Sequence, residues 1–167
     1  FEEGKELITL FGFNANKVIM IVISLAMSIS TAALPLLAAH YSVNDREEVK
    51  RVIANNLGLF AYIMIPASVG MAIVSEPIYN VFYSPDPTGT YLLMVSCIMC
   101  VFLGLFVTFT YILQSMEQHI IAIKALGFTV LIKLLWQPMM IYFLGGAGPL
   151  IASSVAYFVA TLYMCRH

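Results

Sequence analysis

Charged residues are scarce in this sequence. Its 167 residues include eight Lys and Arg and nine Asp and Glu, so only 10% are charged, whereas the apolar set reaches 61%. Soluble domains carry about 25% charged residues, because polar side chains have to cover their surface. The shortage of charge therefore argues against a soluble enzyme and indicates a membrane protein.

The sequence also lacks a basic net charge, paired cysteine motifs and catalytic motifs, and each absence argues against one class of function. The net charge of -1 provides no basic field for nucleic acid, so we expect no nucleic-acid partner. Of the three cysteines, Cys97 and Cys100 form a C-x-x-C without a second pair or a nearby His, so we predict neither a disulfide framework, nor a metal site, nor a redox cofactor. G-x-S-x-G, H-E-x-x-H and Walker-type glycine motifs are also missing, so we predict no catalytic residues and no enzymatic activity.

The few charges that are present divide the chain into long uncharged stretches. These cover residues 18–44, 52–75, 87–116 and 134–165, and each exceeds the roughly 20 residues that a helix needs to cross about 30 Å of hydrocarbon. The last stretch is divided by the turn-forming run 145–149. The pattern predicts an all-α integral membrane protein. Its five spans are expected at about residues 18–41, 52–74, 91–114, 120–144 and 150–165.

The ends of the spans indicate an orientation. Arg46, Lys50 and Arg51 lie between the first two spans, whereas residues 75–90 and 145–149 contain no Lys or Arg. Because cytoplasmic loops are enriched in Lys and Arg, we place the loop 42–51 in the cytoplasm. The chain opens on Phe1 with acidic residues where a signal peptide would be basic. We therefore interpret residues 1–167 as a fragment of one transmembrane domain.

Two connections have structure signals of their own. Asn44 followed by Glu47 resembles a capping box, which predicts a short surface helix in the loop 42–51. The string Ser84–Gly89 is rich in turn-forming residues, which predicts an exposed loop over residues 75–90.

Small and polar residues recur at helical spacing inside several spans. In the first span, Ser28 and Thr31 belong to a face of small residues that suits either a close helix contact or the wall of a cavity. Thr108 and Tyr111 lie on a comparable face of the third span. In the fifth span, Tyr157 shares a face with other polar residues, which is most simply a packing face. Prolines inside the spans are predicted kink positions: Pro35, Pro66 and Pro138.

Lys133 is the most informative single residue. It lies 13 positions after Ile120 and 11 before Leu144, which is about 20 Å and about 16 Å from the two helix ends, hence near the bilayer midplane. Gln137 is one turn further on the same face. A charge at that depth faces protein or water, so Lys133 either pairs with an acid outside this fragment or lines a cavity. The predicted cavity candidates are Lys133, Gln137, Ser28, Thr31, Thr108 and Tyr111.

Several strings in the sequence also resemble a known family. The segment 28–35, SISTAALP, is followed by a short charged loop, by Asn56-Leu57, and by Pro66 and Gly70 in the next span. This order resembles the MOP (multidrug/oligosaccharidyl-lipid/polysaccharide) flippase superfamily, in particular the polysaccharide transport branch that includes stage V sporulation protein B and the lipid II flippases. Further similarity lies in residues 79–83, Asp86, Gly89, 112–114 and 121–124.

The resemblance implies about fourteen helices in two lobes around a cavity that opens to each side in turn. This fragment would then supply helices eight to twelve, and the remaining helices would be its partners in a bacterial plasma membrane. The implied function is flipping of a lipid-linked oligosaccharide or cell-wall precursor by alternating access, without a cofactor. Alternatives are a cation-coupled multidrug exporter of the same superfamily, which would favour an intramembrane carboxylate, and a nontransporting scaffold or subunit of a membrane enzyme.

Overall fold

The computed structural model describes residues 16–82, 87–144 and 148–166. Over these ranges the chain forms helices and contains no strand. Five of the helices are long and apolar enough to cross a membrane, so the prediction of an all-α membrane protein with five spans is confirmed. The six helices are α1 (Asn16–Ser42), α2 (Arg46–Ile73), α3 (Ser75–Phe82), α4 (Pro87–Ser115), α5 (His119–Leu144) and α6 (Gly148–Arg166).

Helix α4 occupies the centre of the bundle. It packs against α1, α2 and α6, and the short α3 rests on its first turns, whereas α5 packs mainly against α6. Small residues let neighbouring backbones come close to α4. At Gly104, a Cβ atom would lie 3.0 Å from the ring of Phe60 in α2.

Two apolar clusters fill the contacts on either side of α4. The first joins α1, α2, α3 and α4 and consists of Val22, Ile23, Ala26, Phe60, Met64, Tyr79, Leu93 and Cys100. The second joins α4, α5 and α6 and consists of Phe106, Leu113, Ala122, Ala125, Ala160 and Met164.

The loop between α1 and α2 is shorter than the sequence predicts. The expected surface helix is the beginning of α2 itself, which starts at Arg46. Asn44 is the turn residue, with φ at 57°, and Asp45 is the N-cap that accepts a hydrogen bond from the Glu48 N–H at 3.3 Å. The predicted N-cap was therefore wrong by one residue. Asn44 takes up the left-handed backbone conformation of the turn, which Asn tolerates, and the next residue, Asp45, becomes the N-cap.

The loop predicted for residues 75–90 was wrong over the residues of this segment that the structure describes, because all of them are helical. Residues Ser75–Phe82 form α3, and α4 already begins at Pro87. Tyr79 is fully buried, so this segment has an apolar side that anchors it to the bundle. Residues 83–86 of the predicted turn lie outside the described residues.

The three prolines lie inside continuous helices. Pro35 is within α1, Pro66 within α2 and Pro138 within α5. Each lacks the N–H that would bond to the carbonyl four residues earlier. Their role as kink positions stays a prediction.

Candidate functional site

One face of α5 changes from apolar to polar at the middle of the helix. Ala122, Ala125 and Thr129 are buried on this face, and Lys133 and Gln137 continue it at helical spacing and are half-buried. Lys133 lies 14 residues after the first residue of α5 and 11 before the last. Its backbone is therefore about 16 Å along the helix from the nearer end, as the sequence predicts.

Tyr157 of α6 is the partner of Lys133. The Lys133 Nζ donates a hydrogen bond of 2.7 Å to the Tyr157 Oη and lies 4.1 Å from the centroid of the same ring. Tyr157 stands nine residues from either end of α6. Its ring also packs against Phe106 of α4, with 5.4 Å between the ring centroids. The contact thus joins α5, α6 and α4 at mid-depth.

No acid neutralises Lys133 in the part of the chain that the structure describes. The Lys and Arg ion pairs found there belong to the first turns of α2: Lys50 with Glu47, and Arg51 with Glu48. The side chain of His40, in the last turn of α1, lies 3.9 Å from that of Asp45. A hydroxyl and an aromatic face stabilise an ammonium only partly, because neither carries a full negative charge. Among the described residues, no carboxylate therefore balances the Lys133 ammonium.

Tyr157 was missed as a site residue by sequence reasoning, which assigned it to a packing face. Its position in the middle of a span that follows the Lys133 span directly was the available signal. Consecutive spans joined by a short connection run antiparallel, so residues near their midpoints lie at the same depth.

Ser28 and Thr31 lie on an exposed face of α1. The Ser28 hydroxyl donates to the Ser24 carbonyl at 2.8 Å, and the Thr31 hydroxyl donates to the Met27 carbonyl at 2.5 Å. The side of α1 that packs against α2 and α4 is a different one and includes Ala26, Ser30 and Leu37. The small-residue face is thus not covered by any of the described helices. Its place in the wall of a cavity stays a prediction.

Thr108 is completely buried in the contact between α1 and α4. Its hydroxyl oxygen lies 2.9 Å from that of Ser30 and 2.9 Å from the Gly104 carbonyl oxygen. The single hydroxyl proton of Thr108 is donated to one of these two acceptors at a time. Thr108 therefore has no open face among the described helices, whereas Tyr111, one turn on, is half-buried.

The structure does not bring the six candidates together. The main contacts of α1 are with α2 and α4, whereas those of α5 are with α6. Lys133 and Gln137 form one group, and Ser28 and Thr31 form a second. That both groups border one cavity stays a prediction.

A groove between α1 and α2 contains a further polar residue. The groove has a volume of about 260 Å³, and its lining includes Asn55 and Asn56. Asn56 is only 6% exposed, and its Nδ2 donates to the Ile29 carbonyl of α1 at 3.2 Å. The side-chain amide thus ties α2 to α1 within the membrane.

Comparisons with known proteins agree with this architecture. A family model described as "Lipid II flippase MurJ" matches residues 13–166. The chain is 24% identical to "Lipid II flippase MurJ" of Bacillus subtilis (strain 168), over 96% of this chain and 30% of that protein. It is 22% identical to "Probable low-salt glycan biosynthesis flippase Agl15" of Haloferax volcanii, over 89% of this chain and 32% of that protein.

The chain spans about a third of the length of these curated relatives. The similarity to both of them confirms that it is a flippase-like member of the MOP superfamily, as the sequence predicts. Because the family model covers nearly the whole chain, this multi-pass membrane protein belongs to the lipid II flippase MurJ family.

Proposed function

We propose that this chain is part of a flippase for a lipid-linked oligosaccharide or cell-wall precursor in a bacterial plasma membrane. Family membership supports a transporter rather than an enzyme, and the names of both relatives describe flippases. The observation that carries the proposal is the positive charge of Lys133 at mid-membrane depth, beside a hydroxyl and without an acid in the described ranges.

Such a charge suits an anionic head group. Moving a phosphate-linked sugar through the bilayer requires a polar, cationic path, because lipid tails cannot solvate the phosphates. Lys133 would attract the phosphates, and Gln137 would offer an amide to the sugar on the next turn of α5. The protein would change the side to which the cavity opens, by alternating access, and would form no covalent intermediate or bound cofactor complex.

The proposed orientation places the loop 42–51 in the cytoplasm. Arg46, Lys50 and Arg51 support it through the bias of Lys and Arg toward cytoplasmic loops. The proposed partners are the lipid-linked sugar and the remaining helices of the full-length protein, in addition to the surrounding bilayer. Nucleic acid is not among them.

A cation-coupled drug exporter is the main alternative. Such a transporter would use a carboxylate inside the membrane to bind its coupling ion or its cationic substrate. The acids in the described ranges all lie at or near helix ends: Asp45, Glu47, Glu48, Glu76 and Glu117. A nontransporting scaffold, in turn, would not need the buried charge of Lys133.

Depletion of the full-length protein tests the proposal. We expect undecaprenyl-linked precursors to accumulate in depleted cells, because their synthesis continues while their translocation stops. Re-expression of the wild-type protein should return the precursors to their normal level, measured by mass spectrometry of lipid extracts. Unchanged precursors together with increased sensitivity to cationic drugs would support the exporter instead.

A further inference from the structure

The hydrogen bond between Lys133 and Tyr157 has a fixed direction. An ammonium carries three N–H donors and no acceptor, so Lys133 donates and the Tyr157 oxygen accepts. The hydroxyl proton of Tyr157 is therefore free to be donated elsewhere. Within the described helices, Lys133 Nζ is the one hydrogen-bonding partner of this hydroxyl, and the other two N–H groups of Lys133 also have no protein acceptor there.

The two groups are held so that their remaining donors are close together. Packing against Phe106 at 5.4 Å orients the Tyr157 ring, and the ammonium lies 4.1 Å from the centre of that ring. The Nζ and Oη atoms are 2.7 Å apart, which is comparable to the separation of two oxygens on one phosphate. A hydroxyl that accepts a bond from a cation is also a stronger donor, because the bonds polarise one another.

We propose that Lys133 and Tyr157 together form a two-donor site for a phosphate of the transported lipid. Tyr157 orients the ammonium by accepting its hydrogen bond and donates its own proton to a phosphate oxygen. This inference rests on the proposed function and adds a specificity-determining residue to it. The site selects a phosphate-bearing lipid over the corresponding neutral alcohol, and it repels a cationic drug.

The test uses the full-length protein with Tyr157→Phe, which keeps the ring and its contact with Phe106 but removes the hydroxyl. Tyr163→Phe is the matched control, because Tyr163 lies in the same helix and packs against Phe128, with 6.4 Å between centroids. The probes are a short-chain polyprenyl diphosphate and the polyprenol of the same length. Their Kd values are measured in detergent on the same preparation of each variant.

We expect Tyr157→Phe to raise the Kd for the diphosphate by on the order of tenfold, as is typical for the loss of one hydrogen bond to a charged group. The Kd for the polyprenol should not change, and Tyr163→Phe should change neither value. Because both probes are measured on one preparation, the ratio of the two Kd values does not depend on the folded fraction.

Three results would overturn the inference. If Tyr157→Phe raises the Kd values for both probes by the same factor, the hydroxyl has a purely structural role. If Lys133→Met raises the Kd for the diphosphate and Tyr157→Phe does not, Tyr157 is not a donor to the phosphate, and the proposed function stands without it. If neither variant raises the Kd for the diphosphate, the proposal of a phosphate site is wrong. The role of Lys133 in the proposed function is then wrong as well.

Discussion

Lys133 lies where a charge is energetically unfavourable, and its contacts in the described helices include no carboxylate. A lysine at the centre of a membrane helix costs about 2.5 to 3.5 kcal/mol on insertion scales. The hydroxyl and ring of Tyr157 offset only part of this cost, because they do not neutralise the charge. Under the proposed function, the action of Lys133 on the substrate would explain why a residue that is unfavourable for folding stands at this depth.

Lys133→Met therefore separates folding from function. The thioether keeps the length of the side chain and removes the charge, so we expect a melting temperature in detergent equal to or above that of the wild type. Complementation of a depleted strain by the full-length variant should be lost, whereas Lys133→Arg should retain part of it, since Arg still provides a cation and donors. Lys124→Met is the control, because Lys124 is exposed on the same helix.

Two outcomes would contradict this interpretation. Full complementation by Lys133→Met would make the charge incidental to transport. A variant that fails to fold would indicate a structural ion pair between Lys133 and an acid outside the described residues.

The depth of a residue was easier to predict than its partner. Counting residues along the span placed Lys133 at the midplane, because the helical rise is constant. The depth of Tyr157 could be counted in the same way, but its contact with Lys133 could not be predicted, since the side of α6 that meets α5 is determined by packing. Thr108 illustrates the same limit: its depth suits a cavity, yet the structure buries it against Ser30.

At the scale of a single element, α1 has two faces of small residues. Ala26 and Ser30 are buried against α2 and α4, whereas Ser28 and Ala32 are exposed. The sequence could not decide between these faces, because a serine that bonds to a carbonyl of its own helix is tolerated on either side. Periodicity identified the small residues, and only the packed structure shows which of them touch a neighbour.

Substitution at one residue on each face of α1 tests this difference. Ala26 is 0% exposed, so Ala26→Leu should overpack the contact and destabilise the protein by ~1–3 kcal/mol. Ala32→Leu adds the same atoms on the exposed face and should leave the melting temperature of residues 1–167 unchanged. If the full-length Ala32→Leu protein folds but loses transport, its face borders the cavity; a loss of folded yield would instead identify a contact with another helix.

The contact between α3 and α4 depends on a glycine. The space that a Cβ atom would need at Gly89 is occupied by the ring of the fully buried Tyr79. The sequence did not predict α3, because the segment is only eight residues long and lies beside strong turn residues. The contact between Tyr79 and the first turn of α4 is one of those that hold α3 against the bundle.

We expect Gly89→Ala to displace Tyr79 and to loosen α3. The measurement is proteolysis of the purified protein, with cleavage between α3 and α4 faster than in the wild type. Gly58→Ala is the matched control, since a Cβ atom at Gly58 would meet nothing within 4 Å and alanine favours the helix. Equal cleavage rates for both variants would show that the bundle accommodates the added methyl group at Gly89.

For the whole molecule, the sequence predicted the number of spans better than their arrangement. Uncharged stretches long enough to cross the bilayer can be counted directly. The central position of α4 could not be derived in this way, because it depends on contacts between helices far apart in sequence, such as that of Gly104 with Phe60. Such contacts depend on local fit, which charge and hydropathy do not reveal.

Thiol labelling of the full-length protein in intact cells tests the orientation. The exposed Cys165 is first replaced in Cys165→Ser. In this background, Val43→Cys, in the α1–α2 loop, should react only with membrane-permeant reagents, and Thr88→Cys, at the start of α4, should react with impermeant ones. The reverse pattern would place the loop 42–51 outside the cell and would contradict the proposed orientation.

The hydrogen bonds at the contacts of α1, α2 and α4 also bear on how the chain is inserted during translation. Helix α1 leaves the ribosome long before α4, yet the Ser30 hydroxyl can already donate to the Ala26 carbonyl of its own helix. The amide of Asn56 bonds instead to Ile29, in a helix that has been synthesised before it. Thr108 arrives last and carries its own acceptor at Gly104. Each of these three side chains therefore finds an acceptor as soon as it enters the lipid, and none has to wait there for a helix that has not yet been made.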